Sequence, residues 1–449
     1  MASVIVWALR ALVVCALLAP FWYWDGGLIE TEATAFVTQY HADRSVLRLV
    51  FDPYRNDLGT YQARELSYFI DYIDAHVFGA LLRHRYRIFV PLSGLVASIL
   101  TIVVFLRGAR RYAHVPAVTA LLLLLAYLTT YTHLVTMGML YRSAKPLLPP
   151  LVVGVTFYLM SQLRRETPSD TRRGRWAPAL VFAMFCVMSW LDRQGFFLTL
   201  VGCGALALHA FIVKRRWDMV AAAGVAVVVM ALYDVVAAPA LIEFLHGYRP
   251  TFDYQRLPLT ALTDPLVWRH AVALVLQAGA LLSGGVSPRV FAVLLVLVVL
   301  TAWLTRWRPR RQDLPWMFVV LSQVVLFAMM IARHPPVFDY ADHRVWYYPI
   351  ALQALCLVGA VVFLERLLAR ATPTRTWAVN VLLAMAIAGN VASWDDYLRM
   401  QLRSRWFPVM YDQNLALKAS LADGRMRWYL DSAHQRFYQF SHSLEPRKP

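Results

Sequence analysis

The chain has 449 residues, of which 59% are hydrophobic and 16% are charged, and its formal net charge is +17. Apolar runs such as Val115–Tyr127 and Ala292–Leu304 are too long and too frequent for the core of a water-soluble protein. The lysines and arginines cluster in short links between apolar runs, so membrane topology explains the positive charge better than nucleic-acid binding does.

The first apolar run, Ser3–Trp24, predicts a retained membrane span rather than a cleaved signal peptide. Arg10 interrupts the run, no small-x-small cleavage site precedes Asp25, and the aromatic residues from Phe21 to Trp24 are typical of a membrane interface. The first apolar run is therefore expected to be retained as a membrane span.

The segment that follows, residues 25–85, is the longest connection between apolar runs. Its length of roughly sixty residues is far above the usual connection, and such loops are commonly functional. The segment carries a third of the 27 acidic residues of the chain: Asp25, Glu30, Glu32, Asp43, Asp52, Asp57, Glu65, Asp71 and Asp74.

Within this loop, apolar residues at helical spacing predict an amphipathic helix over Tyr61–Leu82 that lies on the membrane. Its acids are expected to face away from the apolar side, with Asp71 and Asp74 solvated. Glu65 is expected to pair with Arg64 or a neighbour on the loop surface. Asp57, in the preceding turn, is either a helix cap or a functional acid.

Basic clusters in alternate links predict an all-α polytopic membrane protein with a cytoplasmic amino terminus, about eleven spans and an outer carboxyl terminus. Ala271–Val286 would break this pattern as a full span, so it is interpreted as a re-entrant or interfacial helix. Residues 1–393 then form the transmembrane domain with outer loop 25–85, and residues 394–449 form a short outer segment. The predicted spans are Ser3–Trp24, Ile88–Leu106, Val115–Gly138, Leu147–Leu163, Trp176–Leu191, Phe196–Val213, Met219–Ala238, Arg289–Thr305, Leu314–Ala332, Val345–Leu368 and Thr376–Ser393.

This predicted topology places acidic and basic residues together on the outer face of the membrane. A carboxylate there can take the proton from an attacking hydroxyl, and nearby cations favour the departure of a lipid phosphate. Interfacial cations often only anchor span ends at headgroups, but these lie on the side that the positive-inside bias disfavours. The candidate phosphate ligands are Arg344, Arg142, Lys145, Arg193, Arg249 and His343.

A long, acidic, amphipathic first outer loop followed by many spans with short outer turns resembles the GT-C superfamily of polyprenyl-phosphate-sugar-dependent glycosyltransferases. The resemblance implies an aspartate general base in the first outer loop, at Asp25, Asp52 or Asp57, and donor-phosphate binding by cations of later outer loops. Asp25 is followed by Gly26 and Gly27 instead of the common Asp-Glu pair, which favours Asp52 or Asp57 and leaves a divalent metal open. The implied partners are a polyprenyl-phosphate-linked sugar, membrane lipids, and a glycan, lipid or protein acceptor.

Two other classes compete with this interpretation. A transporter or lipid flippase would need charges within spans and commonly has repeated halves with broken helices; few such charges and no internal repeat are found. Polysaccharide ligases and polymerases typically keep their large outer loop late in the chain, whereas here the large loop comes first.

No Walker loop, dinucleotide fingerprint, HExxH or CxxC motif occurs in the sequence. The Ala- and Arg-rich composition favours a bacterial inner membrane.

Overall fold

The computed structural model describes twelve stretches of the chain, and the statements below concern these residues. Within them the regular secondary structure is helical apart from one parallel pairing of two-residue strands, β1 and β2, in which Leu28 lies opposite Met139 and Ile29 opposite Leu140. The described residues are 2–23, 28–29, 45–51, 63–83, 92–112, 115–140, 144–163, 176–250, 259–282, 314–333, 349–368 and 373–394.

The helices follow the apolar runs of the sequence in chain order. A π-helical segment, Tyr233–Ala237, lies between two of the α-helices, and a short 3₁₀ helix, Leu259–Thr263, precedes a third. The α-helices are α1 (Ala2–Tyr23), α2 (Val46–Val50), α3 (Glu65–Arg83), α4 (Leu92–Tyr112), α5 (Ala117–Leu128), α6 (Tyr131–Gly138), α7 (Ala144–Leu163), α8 (Ala177–Leu191), α9 (Arg193–Val213), α10 (Trp217–Leu232), α11 (Ala238–His246), α12 (Pro265–Leu282), α13 (Leu314–Arg333), α14 (Ile350–Leu368) and α15 (Pro373–Ala392).

Seven helical stretches of the described residues are long and apolar enough to cross a membrane. They coincide with predicted spans, and they indicate a polytopic integral membrane protein, as the composition predicts. The predicted span Arg289–Thr305 lies outside the described residues. The seven stretches are Ser3–Pro20, Leu92–Tyr112, Pro146–Leu163, Arg193–Val213, Trp217–His246, Leu314–Ala332 and Pro373–Ala392.

The core of the bundle is built around α5. Every residue from Thr119 to Leu128 is buried, which fits a helix that is apolar all round. Helices α1, α4, α14 and α15 pack against it, and α7 joins α4 to α14. The short α5 is thereby enclosed by protein, while residues such as Phe211 and Trp377 on peripheral helices are exposed, as side chains facing lipid would be.

Three predicted boundaries differ from the structure. The predicted span Val115–Gly138 is broken at Thr129–Thr130, which separate α5 from α6. The predicted span Met219–Ala238 continues through the π-helical segment to His246, so that one helical stretch has 30 residues. The predicted interfacial helix at Ala271–Val286 is the helix α12, which begins earlier, at Pro265, and packs against α13.

The amphipathic helix of the first loop is confirmed as α3, but the expected exposure of its acids is wrong. Asp71 and Asp74 are 4% and 3% exposed, whereas the apolar Phe69 and Ile73 are 43% and 39% exposed. A helix at a membrane surface can present apolar side chains to lipid, while its acids find partners in the protein. The helix therefore packs with its acidic side inwards.

Asp74 joins α3 to the start of α4. Its Oδ1 accepts a hydrogen bond from the Ser93 backbone N–H at 3.0 Å, and its Oδ2 accepts one from the Ser93 hydroxyl. A carboxylate at this position satisfies a free amide of the first helical turn and interacts favourably with the helix dipole. Burial raises the pKa of Asp74 to about 6, and the two hydrogen bonds from Ser93 partly offset that rise.

Replacing this carboxylate is expected to loosen the docked helix. In Asp74→Ala the Ser93 N–H and hydroxyl lose their acceptor, so the amides of α3 should exchange with deuterium about tenfold faster, as expected for a loss of roughly 1.4 kcal/mol. The measurement is hydrogen exchange by mass spectrometry in detergent. Asp218→Ala, which removes an exposed carboxylate paired with Arg216, is the control and should leave exchange in α3 unchanged.

Candidate functional site

Four chain segments bring ionisable and aromatic side chains together beside the amino-terminal end of α3. Arg64 and Glu65 come from the start of α3, Trp190 from the last turn of α8, and Arg193 from the first turn of α9. Tyr233 and Asp234 come from the π-helical segment. These six residues are called the acid–arginine cluster: Arg64, Glu65, Trp190, Arg193, Tyr233 and Asp234.

Glu65 is the innermost member of the cluster. Its side chain is completely buried, and its Oε2 accepts a hydrogen bond from Trp190 Nε1 at 3.0 Å. The same N–H also points to the Tyr233 hydroxyl, at 3.2 Å. Burial raises the pKa of Glu65 to about 8, the negative charge of Asp234 adds to the rise, and hydrogen bonds from its own backbone, Tyr233 and Trp190 oppose it. The expected pairing of Glu65 on the loop surface is therefore wrong.

The turn between α8 and α9 positions Arg193. Asp192 is 4% exposed, has extended backbone, and caps α9 by accepting a hydrogen bond from Gln194 N at 2.8 Å. Three residues after Asp192, Gly195 lies directly against the backbone of Met188 in α8. This close helical hairpin places Arg193 where Asp234 and Asp192 attract its guanidinium and Arg64 repels it.

Tyr233 and Asp234 share a single turn of π-helix, a rare conformation that is frequent at functional sites. The ring of Tyr233 lies edge-on to that of Trp190, with centroids 6.0 Å apart and an interplanar angle of 76°. Asp234 interacts electrostatically with both Glu65 and Arg193. The wide turn thus connects the buried acid of the first loop to the arginine of the α8–α9 turn.

Arg64 completes the cluster on the side of α3. Its Nε donates a hydrogen bond to the Tyr68 hydroxyl at 3.0 Å, and its guanidinium lies 5.1 Å from the centroid of the same ring. The side chain is 6% exposed, so its charge is held within the protein near Arg193. Two cations and two acids therefore share one small volume.

The side chains of the cluster that a ligand can reach are different from the side chain that fixes the geometry of the cluster. Glu65 is inaccessible, so its effect on a ligand is exerted through Trp190 and Tyr233. Trp190 is 39% exposed, and Arg193, Tyr233 and Asp234 are partly exposed. A guanidinium binds phosphate oxygens, a carboxylate accepts hydrogen bonds from hydroxyl groups, and an aromatic ring offers a flat apolar face.

Of the two predicted site residues whose side chains the structure describes, one belongs to this cluster. Arg193 is a member, whereas Arg249 is exposed beyond the end of α11 and takes no part in the interactions described above. Lys145 lies in the first turn of α7, and its side chain is outside the described part of the chain. The remaining predicted residues also fall outside the described residues: Asp25, Asp52, Asp57, Arg142, His343 and Arg344.

Sequence reasoning missed Trp190, Tyr233 and Asp234. Asp234 stands near the end of the apolar run Met219–Ala238, and an acid within a membrane span is itself a signal of a functional or paired group. Trp190 gave no such signal, because tryptophan at the end of a span is ordinary at membrane interfaces. Only the folded chain shows that its N–H is directed at Glu65.

The described residues hold no group of three or more His, Cys, Asp or Glu side chains that could bind a metal ion. A cavity of about 120 Å³ lies elsewhere, between α7, α8, α9, α13 and α14. Its lining includes Val155, Phe185, Leu206 and Trp316 and is apolar, so it does not belong to the acid–arginine cluster.

Comparisons with known proteins add no relative from which a role for these residues could be transferred. No protein-family model, no curated protein and no solved structure matched the chain.

Proposed function

We propose that this protein is an integral membrane glycosyltransferase. It transfers a sugar from a polyprenyl-phosphate carrier to an acceptor on the non-cytoplasmic face, in a bundle of about eleven spans with a cytoplasmic amino terminus. The observation that carries the proposal is that Arg64 and Glu65 of the first long loop share one partly buried cluster with Arg193 of a later turn. Packing of an acidic first loop against later arginines is the arrangement that the resemblance implies.

In this proposal the catalytic base is an aspartate of the first loop, Asp52, Asp57 or Asp25, which removes the proton of the acceptor hydroxyl. Such general-base assistance contributes roughly a hundred to ten thousand-fold in rate. Glu65 is not given this role, since its carboxyl group is fully enclosed. It keeps Trp190 and Tyr233 in position next to the arginine.

Arg193 is proposed to stabilise the lipid phosphate as the sugar leaves. Negative charge grows on the phosphate in the transition state, so a fixed guanidinium lowers that barrier more than it strengthens ground-state binding. In the absence of substrate the neighbouring carboxylates of Asp192 and Asp234 balance its charge. A bound phosphate would compete for Arg193 with Asp234, whose side chain is partly exposed.

The test is sugar transfer by purified protein in detergent with a panel of polyprenyl-phosphate sugars. One of Asp25→Asn, Asp52→Asn and Asp57→Asn is expected to lose at least about a hundredfold in rate. Arg193→Ala should lose a similar factor, mainly in kcat. Arg216→Ala is the matched control, since Arg216 pairs with Asp218 in the link between α9 and α10, and its rate should equal that of wild type.

A second candidate is a polytopic transporter or lipid flippase. Two observations favour it: the helix break at Thr129–Thr130 and the acid Asp234 within a spanning stretch, both of which are common at transport sites. Wild-type protein that transfers no sugar from the whole panel but carries a solute or lipid across liposomes would overturn the glycosyltransferase proposal in favour of transport.

A further inference from the structure

The break between α5 and α6 lies inside the bundle, where backbone groups have no access to bulk water. Thr129 and Thr130 interrupt the helix, and Tyr131 starts it again. All residues from Thr119 to Leu134 are buried, so the groups released by the break need partners within the protein.

One side of the break has such partners. Asn390 of α15 donates hydrogen bonds to the Ala126 carbonyl at 2.9 Å and to the Thr129 hydroxyl at 3.3 Å. Trp394 Nε1 donates to the Thr129 carbonyl at 2.8 Å. The end of α15 therefore completes the hydrogen bonding of the carbonyl groups on this side.

On the other side the Tyr127 carbonyl accepts hydrogen bonds from the N–H and the hydroxyl of Thr130, and the Thr130 hydroxyl accepts one from His133 N. Several buried side-chain atoms, however, lack a partner among the described residues. The Tyr127 hydroxyl, both ring nitrogens of His133 and Oε1 of Gln353 are buried, and they make no hydrogen bond to the part of the chain that the structure describes. Tyr127 and His133 face each other with ring centroids 5.4 Å apart. Gln353 is bound to the residue next to His133 by a hydrogen bond from its Nε2 to the Thr132 hydroxyl, at 3.1 Å.

The chemistry of these atoms indicates the ligand. A neutral imidazole offers one donor and one acceptor, a phenol offers both, and the amide oxygen is an acceptor, so the unfilled groups include donors and acceptors without a net charge. Buried groups of this kind are commonly bridged by internal water, and leaving them unfilled is costly. A charged ligand would instead require an opposite charge, and the atoms named here supply none.

We propose that the α5–α6 break is an internal water-binding site in which ordered water bridges Tyr127 and His133 and reaches Gln353. The site is separate from the acid–arginine cluster, and it does not depend on the proposed transferase activity. Water there satisfies the side-chain donors and acceptors of these three residues that the described part of the chain leaves without a partner.

Hydroxyl-radical labelling by X-ray radiolysis of the wild-type protein tests this directly, because buried side chains are labelled where water lies against them. Tyr127 and His133 should be labelled at rates approaching that of the exposed Trp176. Phe157 and Phe185 are equally buried aromatic residues in an apolar setting, and they should remain unlabelled. Labelling of Trp176 without labelling of Tyr127 or His133 would overturn the proposal.

Tyr127→Phe gives a second measurement. If water bridges the pair, loss of the hydroxyl leaves the water and His133 short of a partner, and Tm should fall by at least about 2 °C. The same variant should reduce labelling of His133. A rise in Tm would mean that the hydroxyl was buried without any partner, in a dry site, and would contradict the proposal.

Discussion

Gly195→Ala should abolish the folded protein or lower its stability by more than about 3 kcal/mol, the upper range for overpacking. A Cβ at this position would overlap the backbone carbonyl oxygen of Met188 and lie 2.6 Å from its carbonyl carbon. Backbone of a packed helix cannot move aside as a flexible side chain can, so α8 and α9 would have to separate. Their separation would move Trp190 and Arg193 apart and disrupt the acid–arginine cluster.

Gly224→Ala is the matched control for this variant. Gly224 lies in the middle of α10, and a Cβ there would meet nothing within 4 Å. The substitution should be neutral or stabilise by about 0.5–1 kcal/mol through higher helix propensity. The measurements are the yield of monodisperse protein in size-exclusion chromatography and Tm in detergent. Equal Tm values for the two alanine variants would show that the helices are not in this close contact.

The stability of the protein should fall as the pH rises towards 8, and Glu65→Gln should remove much of that dependence. The pKa of Glu65 is raised from 4.5 to about 8, so the folded protein retains a proton that the unfolded chain releases. The stabilisation is complete below about pH 4.5 and is lost as the pH passes through about 8, by a few kcal/mol in total. A glutamine stays neutral and still offers an oxygen to Trp190 N–H.

The most informative comparison lies above about pH 7, where the Asp74 carboxyl, with a pKa of about 6, has already released its proton. There the Tm of wild type should fall more steeply than that of Glu65→Gln, and the variant should be the more stable protein at about pH 9. Glu243→Gln removes an exposed glutamate of α11 and should follow wild type throughout. Parallel curves for wild type and Glu65→Gln would contradict the buried position of Glu65.

Periodicity predicted the existence of α3 but not the direction that it faces. The pattern of Leu66, Phe69, Ile70 and Ile73 fixes a helix, because that spacing is local. Which side of the helix faces the protein depends on its surroundings. At a membrane, apolar side chains can face lipid, and acids can face inwards where residues distant in the sequence donate hydrogen bonds to them. Asp74 finds Ser93, and Glu65 finds Trp190, which is 125 residues away along the chain.

For the candidate site, sequence reasoning selected Arg193 because a cation on the outer side is unusual. Its partner Asp234 was overlooked, since one acid hardly alters the hydropathy of a long apolar run, although an acid within a span is itself a signal. The break at Thr129–Thr130 could not be predicted for a related reason, because threonines are tolerated in membrane helices. The sequence does not show that Asn390 of α15 and Trp394 just after it will supply hydrogen bonds to the break. Both features rest on contacts between residues distant in the sequence.

The π-helical segment also rotates the following helix, α11, about its own axis relative to α10. Buried positions in α10 recur at Met219, Ala223, Ala226 and Met230, and an uninterrupted α-helix would continue this stripe through Ala237 and Leu241. Those two residues are exposed, and Ala238 and Ile242 are buried in their place. The wide turn therefore absorbs one extra residue, so that deleting a single residue from it would rotate α11 by about 100° relative to its present packing.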